Sequence, residues 1–151
     1  MFSQTVEYAL RAMVQLASKA PEACTTQQIA KKTKVPAAYL AKVLQSMRRA
    51  GLINSRRGVG GGVSLARPAA KISLLEVIDA VEPLTRGKAR STGATLGALQ
   101  RKLDEALTQI RKTFADASLG DMLAGPGRKK AAGRAKPRRG KKKAKRPAPR
   151  N

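Results

Sequence analysis

The sequence predicts a mainly α-helical fold with one small two-stranded β-hairpin and a long helix towards its end. Three observations predict it. Apolar residues recur at helical spacing in several separate stretches, a glycine run lies between two short strand-like segments, and one apolar stripe continues for more than five helical turns. At 151 residues, the chain has room for one globular domain with an extension.

The first two helices follow from apolar spacing and from a capping pattern. Apolar residues from Val6 to Ala17 repeat at helical spacing, which predicts an amphipathic helix over residues 4–18. Residues 25–28, Thr-Thr-Gln-Gln, have the pattern of a capping box. They open a second, shorter helix that ends near Thr33.

A third helix and a hairpin come next. Pro36 suits the first position of the helix, and Gly51 ends it. The apolar stripe of this helix consists of Leu40, Val43, Leu44 and Met47. Residues 52–57 and 63–66 are typical of short strands, and the loop 58–62 between them is too rich in glycine for a helix.

Two more helices and a final turn complete the predicted elements. Residues 73–76 form a second capping box, whose helix ends at Pro83. Residues 84–93 are predicted to form a polar loop, after which a long helix runs over about 94–117. Its apolar stripe consists of Leu96, Leu99, Leu103, Leu107, Ile110 and Phe114. Ser118 caps a last helical turn.

The order of these elements is that of a winged helix-turn-helix, with the hairpin as the wing. The third helix has a basic, polar outer face that suits the major groove of duplex DNA. Glycines in the wing let its backbone approach a phosphate or a narrow minor groove. The residues expected to contact DNA are Thr26, Gln27, Pro36, Ala38, Tyr39, Lys42, Arg49, Arg56, Arg57, Gly58, Gly60 and Gly61.

Each of these features also has an ordinary interpretation. Lys42 and Arg49 would suit any solvated helix face. The glycine run would suit a mobile hairpin tip, or a phosphate cradle for a nucleotide. The nucleotide interpretation is weak, because the glycines precede a strand rather than a helix and no Gly-Lys-Ser/Thr ending follows. The combination of element order, spacing and positive charge favours DNA.

The charge of the chain points to a polyanionic partner. The 32 Lys and Arg residues outnumber the 9 Asp and Glu residues, which gives a formal charge of +23. Residues 125–151 hold 13 of these cations, with no acid and no Leu, Ile, Val or aromatic residue. This tail is predicted to be disordered and to act as a phosphate-binding arm, or only as a solubilising end. No apolar run approaches the ~20 residues of a membrane span, so no membrane partner is expected.

Histidine and cysteine usage argues against catalysis and metal binding. The chain has no His and a single Cys, so the commonest general base, C-x-x-C motifs and intramolecular disulfides are all absent. Neither an enzymatic activity nor a cofactor is expected. Cys24 lies just before the second helix, whose positive N-terminus favours a thiolate. It is a candidate redox switch or, alternatively, a small residue that fills a bend.

Several motifs carry a family resemblance: EYALRA at residues 7–12, RRAGLI at 48–53, SRRG at 55–58, GGG at 60–62 and ISLLEVIDAVE at 72–82. On these motifs residues 1–83 resemble the DNA-binding domain of the Rrf-type winged-helix regulators of bacteria, the family of IscR, NsrR and CymR. The resemblance implies a homodimer in which the long helices of two subunits cross, within residues 84–124, through the stripe from Leu96 to Phe114. A helix packed only on its own domain is the alternative.

The chain departs from the family at two places. Relatives that sense iron or nitric oxide hold an iron–sulfur cluster with three Cys in the loop before the long helix, whereas residues 84–93 contain none. Glu7 matches a carboxylate ligand of some relatives, but one carboxylate cannot hold a cluster. The third helix begins with Ala37 and Ala38, so fewer hydrogen-bonding groups face the bases than in relatives.

The sequence therefore predicts a cytoplasmic, nucleoid-associated homodimer that binds double-stranded DNA and acts as a repressor, without an iron–sulfur cluster. One alternative is an architectural nucleoid protein dominated by its basic tail. Another is a relay in which a partner protein binds the dimer and changes its affinity for DNA.

Overall fold

A computed structural model describes residues 2–84 and 94–125. The predicted fold class, mainly α-helical with one two-stranded antiparallel sheet, is confirmed. The elements are α1 (Gln4–Lys19), α2 (Thr26–Thr33), α3 (Ala37–Arg49), β1 (Ile53–Arg56), β2 (Gly62–Leu65), a 3-10 turn (Ala69–Lys71), α4 (Leu74–Val81), α5 (Ala94–Asp116) and α6 (Leu119–Ala124). The predicted loop after residue 84 and the basic tail after residue 125 lie outside the described residues.

Capping boxes begin three of the helices. The Thr25 hydroxyl accepts a hydrogen bond from the backbone N–H of Gln28 at 3.1 Å, and the Gln28 side chain accepts one from the backbone of Thr25 at 2.9 Å. Ser73 begins α4 and Ser118 begins α6 in the same reciprocal way. The helix starts predicted at these positions are confirmed.

The third helix begins one residue later than predicted. Pro36 is the N-cap, with an extended ψ of 132°, and its carbonyl accepts the first helical hydrogen bond, from Leu40 N–H at 2.9 Å. An N-cap residue has a non-helical backbone, and the residue before it, Val35, is buried in the core. At the other end Gly51 has a φ of 72°, and Leu52 N–H donates to the Met47 carbonyl at 3.0 Å. This closure ends the helix as predicted.

The wing is a short hairpin with an additional backbone partner. Ile53 pairs with Leu65 and Arg56 with Gly62, so β1 is one residue shorter at each end than predicted, and β2 keeps its predicted length but begins one residue earlier. Beyond this ladder, Cys24 and Val63 exchange two backbone hydrogen bonds, of 2.8 and 2.7 Å. The wing is therefore attached to the segment that enters α2, a contact that the sequence analysis did not predict.

An aliphatic core surrounds α1. Ala9 and Ala12 are fully buried on α1, and their small side chains let neighbouring helices approach its backbone closely. Helices α2, α3, α4 and α6 all contact α1. The largest fully buried side chains are Met13, Leu16, Ile29, Leu40, Met47, Leu52, Ile72, Ile78 and Leu119. All of the buried core residues among those described thus lie before residue 125 in the chain.

The end of α5 returns to the body of the domain. Leu74 N–H donates to the Ala117 carbonyl at 2.8 Å, and Leu119 N–H donates to the Ile72 carbonyl at 2.9 Å. Phe114 packs edge-on against Phe2, with ring centroids 5.2 Å apart. The sequence analysis assigned Phe114 to the dimerisation stripe, but its ring is half-buried against its own domain because the chain turns back here.

Ion pairs fix α4 on two sides. Arg67 donates to the Glu76 carboxylate at 2.7 Å, and Arg111 of α5 binds both carboxylate oxygens of Asp79, at 2.9 and 3.1 Å. Burial raises the pKa of Glu76, but hydrogen bonds from Arg67 and Ser73 together lower it below its usual value. These contacts attach the segment that follows the wing, through Arg67, and the long helix α5, through Arg111, to α4.

Lys34 is the one non-glycine residue with positive φ among the described residues. Its φ of 57° lies in the left-handed region, at the turn between α2 and α3. That conformation costs a side chain about 1–2 kcal/mol, whereas glycine adopts it freely. We expect Lys34→Gly to raise the free energy of unfolding by roughly 0.5–1 kcal/mol, measured by urea denaturation at fixed protein concentration.

Lys31→Gly is the matched control, because it removes the same charge from a helical position, in the last turn of α2. It should lower the free energy of unfolding by about 1 kcal/mol. If Lys34→Gly lowers the free energy of unfolding as much as the control does, relief of the left-handed backbone at position 34 does not stabilise the protein.

Candidate nucleic-acid interface

A groove opens between α3 and the wing. We call it the wing-side groove, and its volume is about 360 Å³. It is lined by Thr26, Ala41, Lys42, Leu44, Gln45, Arg48, Ile53, Ser55 and Val63. Its polar groups thus come from the start of α2, from about two turns of α3 and from β1. The Cys24–Val63 pair fixes these elements around it.

The centre of the outer face of α3 is a line of exposed residues at positions 38, 42, 45 and 49. They are Ala38, Lys42, Gln45 and Arg49. Spacings of four, three and four residues place them on one side of the helix, opposite the buried stripe. A helix presenting this line fits the major groove.

The structure brings together some of the residues predicted to contact DNA and not others. Thr26 and Lys42 lie in the wing-side groove, whereas Gln27, Pro36 and Arg49 are exposed but do not line it. Arg48 and Ser55 line the groove and were missed. The helical period would have placed Arg48 beside Ala41 and Gln45, but only the packed structure shows that the wing lies on that side.

Tyr39 lies on the opposite side of α3 from the wing. Its ring packs edge-on against Tyr8 of α1, with centroids 5.6 Å apart. It borders a second hollow of about 190 Å³, which we call the α1-side depression. The depression is lined by Thr5, Tyr39, Lys42, Val43, Ser46 and Val81. Lys42 lines both hollows and therefore lies on the ridge between them.

Glycines shape the wing loop. Gly58 and Gly60 have φ values of 91° and 73°, and Gly61 N–H closes the turn by donating to the Gly58 carbonyl at 3.0 Å. A Cβ atom on Gly61 would lie 2.5 Å from the Arg56 carbonyl oxygen. Val59, at the tip, is fully exposed. The loop is thus a tight turn closed by its own backbone hydrogen bond.

The two arginines of the wing are exposed at its base. Side chains alternate along a strand, so Arg56 shares the face of Asn54, away from the groove-lining Ser55. Arg57 follows directly, where β1 has ended. Both cations are therefore available to a ligand outside the groove.

The region that forms this face contains no acid. Residues 23–75, from the entry to α2 through the wing to the start of α4, hold ten Lys and Arg and no Asp or Glu. So dense a field of one sign attracts polyanions. None of the described helices is both long and apolar enough to cross a membrane.

Cys24 is buried and its thiol is free. The burial agrees with the interpretation of a small residue at a bend, and its backbone has a structural role in the pair with Val63. Its predicted role as a redox switch stays a prediction.

Comparison with known proteins identifies the family. A profile described as "Rrf2: Iron-dependent Transcriptional regulator" matches residues 2–125. The chain belongs to the Rrf2 family. An rrf2-like HTH-type regulator from Rhodobacter capsulatus is 33% identical over 129 residues, which cover 77% of this chain and 80% of the relative. The regulator IscR of Cereibacter sphaeroides is 36% identical over 93 residues, which cover 60% of each chain.

Solved structures agree with the Rrf2 fold. CymR of Bacillus subtilis, described as a global cysteine regulator, superposes with a TM-score of 0.74 at 22% identity, over 84% of this chain and 98% of CymR. IscR of T. potens gives a TM-score of 0.67 at 25% identity, over 82% and 86%. The Rrf2 family and these relatives are transcriptional regulators, not enzymes.

The iron in the description of the Rrf2 family does not fit this member. Iron–sulfur clusters need thiolates, with His or carboxylate as occasional substitutes, and the chain offers one Cys and no His. Cys24 is buried behind the wing, and Glu7 is occupied by an ion pair with Arg11 on the same helix. Within residues 2–84 and 94–125, no three His, Cys, Asp or Glu side chains form a group that could hold a metal ion.

Gly62 lies against the Cys24 carbonyl, where the wing meets the segment that enters α2. Substitution of Gly62 tests this contact. A Cβ atom on Gly62 would lie 2.7 Å from the Cys24 carbonyl oxygen, and the φ of Gly62 is 135°. We expect Gly62→Ala to destabilise the protein by about 1–3 kcal/mol and to increase hydrogen exchange at Val63 N–H.

Gly60→Ala is the control, because its φ of 73° imposes backbone strain but a Cβ there meets open space. The difference in stability combines the contact with Cys24 and the different backbone strain at the two positions, whereas exchange at Val63 N–H reports on the contact itself. Equal losses of stability, with Val63 N–H still protected, would contradict this role for the contact.

Proposed function

We propose that this Rrf2 regulator is a homodimer that binds duplex DNA in a sequence-specific manner and represses transcription by occupying a promoter. The observation that carries the proposal is the exposed line Ala38, Lys42, Gln45 and Arg49 on α3, flanked by a wing and set in a region without acids. In this arrangement α3 enters the major groove and the wing reaches the neighbouring minor groove. A promoter occupied in this way is closed to other proteins in the same grooves.

The cations of the interface are free to bind phosphate. Lys42, Arg48 and Arg49 have no ion-pair partner among the described residues, whereas Arg11, Arg67 and Arg111 pair with acids elsewhere. Unpaired cations on an exposed face release DNA counterions when they bind, without first breaking an internal contact. This division of charges supports duplex DNA as the ligand.

The long helix supports a homodimer. Leu96, Leu99 and Leu103 are 51–55% exposed, although they form one continuous stripe on α5. A helix of 23 residues is about 34 Å long, and only its last turns pack on the domain. A second copy of the same stripe would cover these leucines across a two-fold axis. The symmetry gives a pseudo-palindromic operator.

The basic tail adds a second, non-specific contact to this proposal. Its 13 cations have no apolar residues beside them that would fix a geometry, so it would bind phosphates of any duplex. Sequence preference would then come from α3 and the wing. The regulator would act in the cytoplasm, on the nucleoid.

DNA selection and salt titration test the DNA-binding part. Genomic fragments bound by the full chain and by residues 1–125 should share one preferred operator. Without the tail, the slope of log affinity against log salt should flatten by several units, at ~0.9 per lost phosphate contact, and specificity should survive. If residues 1–125 prefer no genomic site over scrambled DNA, the regulator proposal fails and an architectural role replaces it.

Two single substitutions in the truncated chain test whether the wing contributes to recognition of the operator. Arg57→Ala should cost about 1–3 kcal/mol on the preferred operator and less on scrambled duplex, because the wing contributes to recognition. Lys112→Ala removes an exposed cation from α5, outside the acid-free region, and should have little effect on either duplex.

Dimerisation is tested on the exposed leucines. Leu99→Glu combined with Leu103→Glu should give a folded monomer, because both side chains are exposed in one chain but would bury unpaired charges between two. Ala98→Glu combined with Gln109→Glu adds the same charge to the opposite face of α5 and should leave the dimer intact. Sedimentation distinguishes the outcomes, and a stable dimer of the leucine variant would contradict the assignment.

A further inference from the structure

The α1-side depression collects hydrogen-bond donors that the protein does not use. Thr5 of α1 and Tyr39 and Ser46 of α3 line it together with Lys42. Among the described residues, none of these four side chains has a hydrogen-bond or ion-pair partner. Three hydroxyls and one ammonium group therefore border a hollow of about 190 Å³ with their bonding capacity unsatisfied by protein.

Four other helical hydroxyls among the described residues are used internally. Ser18 donates to the Gln15 carbonyl and Thr33 to the Ile29 carbonyl, both at 2.7 Å. Thr108 and Thr113 bond back to their own helix in the same way. Ser46 also lies within a helix but makes no such bond, so its hydroxyl stays available to a ligand.

The position of the depression suggests the ligand. An α-helix with its side chains is about 10–12 Å across, and the major groove of DNA is about 12 Å wide. A helix in that groove therefore has a sugar–phosphate backbone on each side. The wing-side groove lies on one side of α3 and the α1-side depression on the other, with Lys42 on the ridge between them.

We propose that the α1-side depression binds a phosphate of the DNA strand that lies across α3 from the wing. Tyr39, Ser46 and Thr5 donate hydroxyl hydrogen bonds to its oxygens, and Lys42 supplies the positive charge. The Tyr8 ring holds the Tyr39 ring edge-on at the rim. Tyr39 is then a backbone contact that fixes the register of α3, not a reader of bases. This inference rests on the proposed function.

The acid that follows the lining residue Val81 does not occupy the depression. Glu82 follows Val81, which lines it, but the Glu82 carboxylate accepts a hydrogen bond from Ser3 at the start of α1. The lining itself contains no carboxylate, so a phosphate there would meet donors only.

The first test removes the hydroxyls and keeps every charge. The triple variant Thr5→Ala, Tyr39→Phe, Ser46→Ala of the full chain should bind both the selected operator and a scrambled duplex at least about ten-fold more weakly. The salt slope should not change, because hydroxyls displace no counterions. Ser18→Ala removes a hydroxyl from the far end of α1 and should bind like the parent. Phe keeps the ring contact with Tyr8, and thermal unfolding verifies that the fold is retained.

The second test changes the DNA. Single methylphosphonates, which remove the charge of one phosphate, are placed in turn along both strands of the operator. The parent protein should lose affinity at one position per half-site on the strand away from the wing. The triple variant should lose much less additional affinity there than the parent does, and should keep its sensitivity at the wing-side phosphates.

The outcomes separate this inference from the proposed function. Arg48→Gln perturbs the wing-side groove only. If it weakens binding while the triple variant binds like the parent, the phosphate site is wrong and the regulator proposal stands. A loss confined to the operator, with scrambled duplex unaffected, would show that the hydroxyls read bases and would also overturn the site. If the parent chain prefers no operator, the proposed function itself fails.

Discussion

The two backbone hydrogen bonds between Cys24 and Val63 are the constraint on which the candidate interface depends. They join residues 39 positions apart and attach the wing to the segment that enters α2. Because α2 and α3 already share the core, this attachment also fixes the wing relative to α3. Gly62 is required beside the contact, since no side chain would fit against the Cys24 carbonyl. A two-stranded hairpin alone is only marginally stable, and this third partner supports it.

Charge is divided between scaffold and interface. The acids that stabilise the fold lie on α1, α4 and the helices after it, where they cap helix starts or pair with arginines such as Arg67 and Arg111. From α2 to the wing the fold relies on aliphatic packing, backbone hydrogen bonds and the uncharged Thr25–Gln28 capping box. A face built without acids can present cations to DNA without competing carboxylates.

Local rules predicted most of the fold and only part of the interface. The starts at Thr25, Ser73 and Ser118 were predictable because a capping box involves four neighbouring residues. Local rules did not predict three other features, because each depends on packing between distant segments. These are the Cys24–Val63 pair, the 3-10 turn and the return of Phe114 to its own domain. Lys42 was found from the helical period. Arg48 was missed, because the period shows which residues are exposed but not which neighbour they face.

The alanines on the outer side of α3 have a consequence for how such regulators diversify. Ala38 and Ala41 are exposed and do not contribute to the buried core. Larger side chains at these two positions would not disturb the packing beneath the helix. If α3 occupies the major groove as proposed, substitutions at these positions would change the preferred operator at little cost in stability. The choice of operator and the stability of the fold would then depend on different residues of α3.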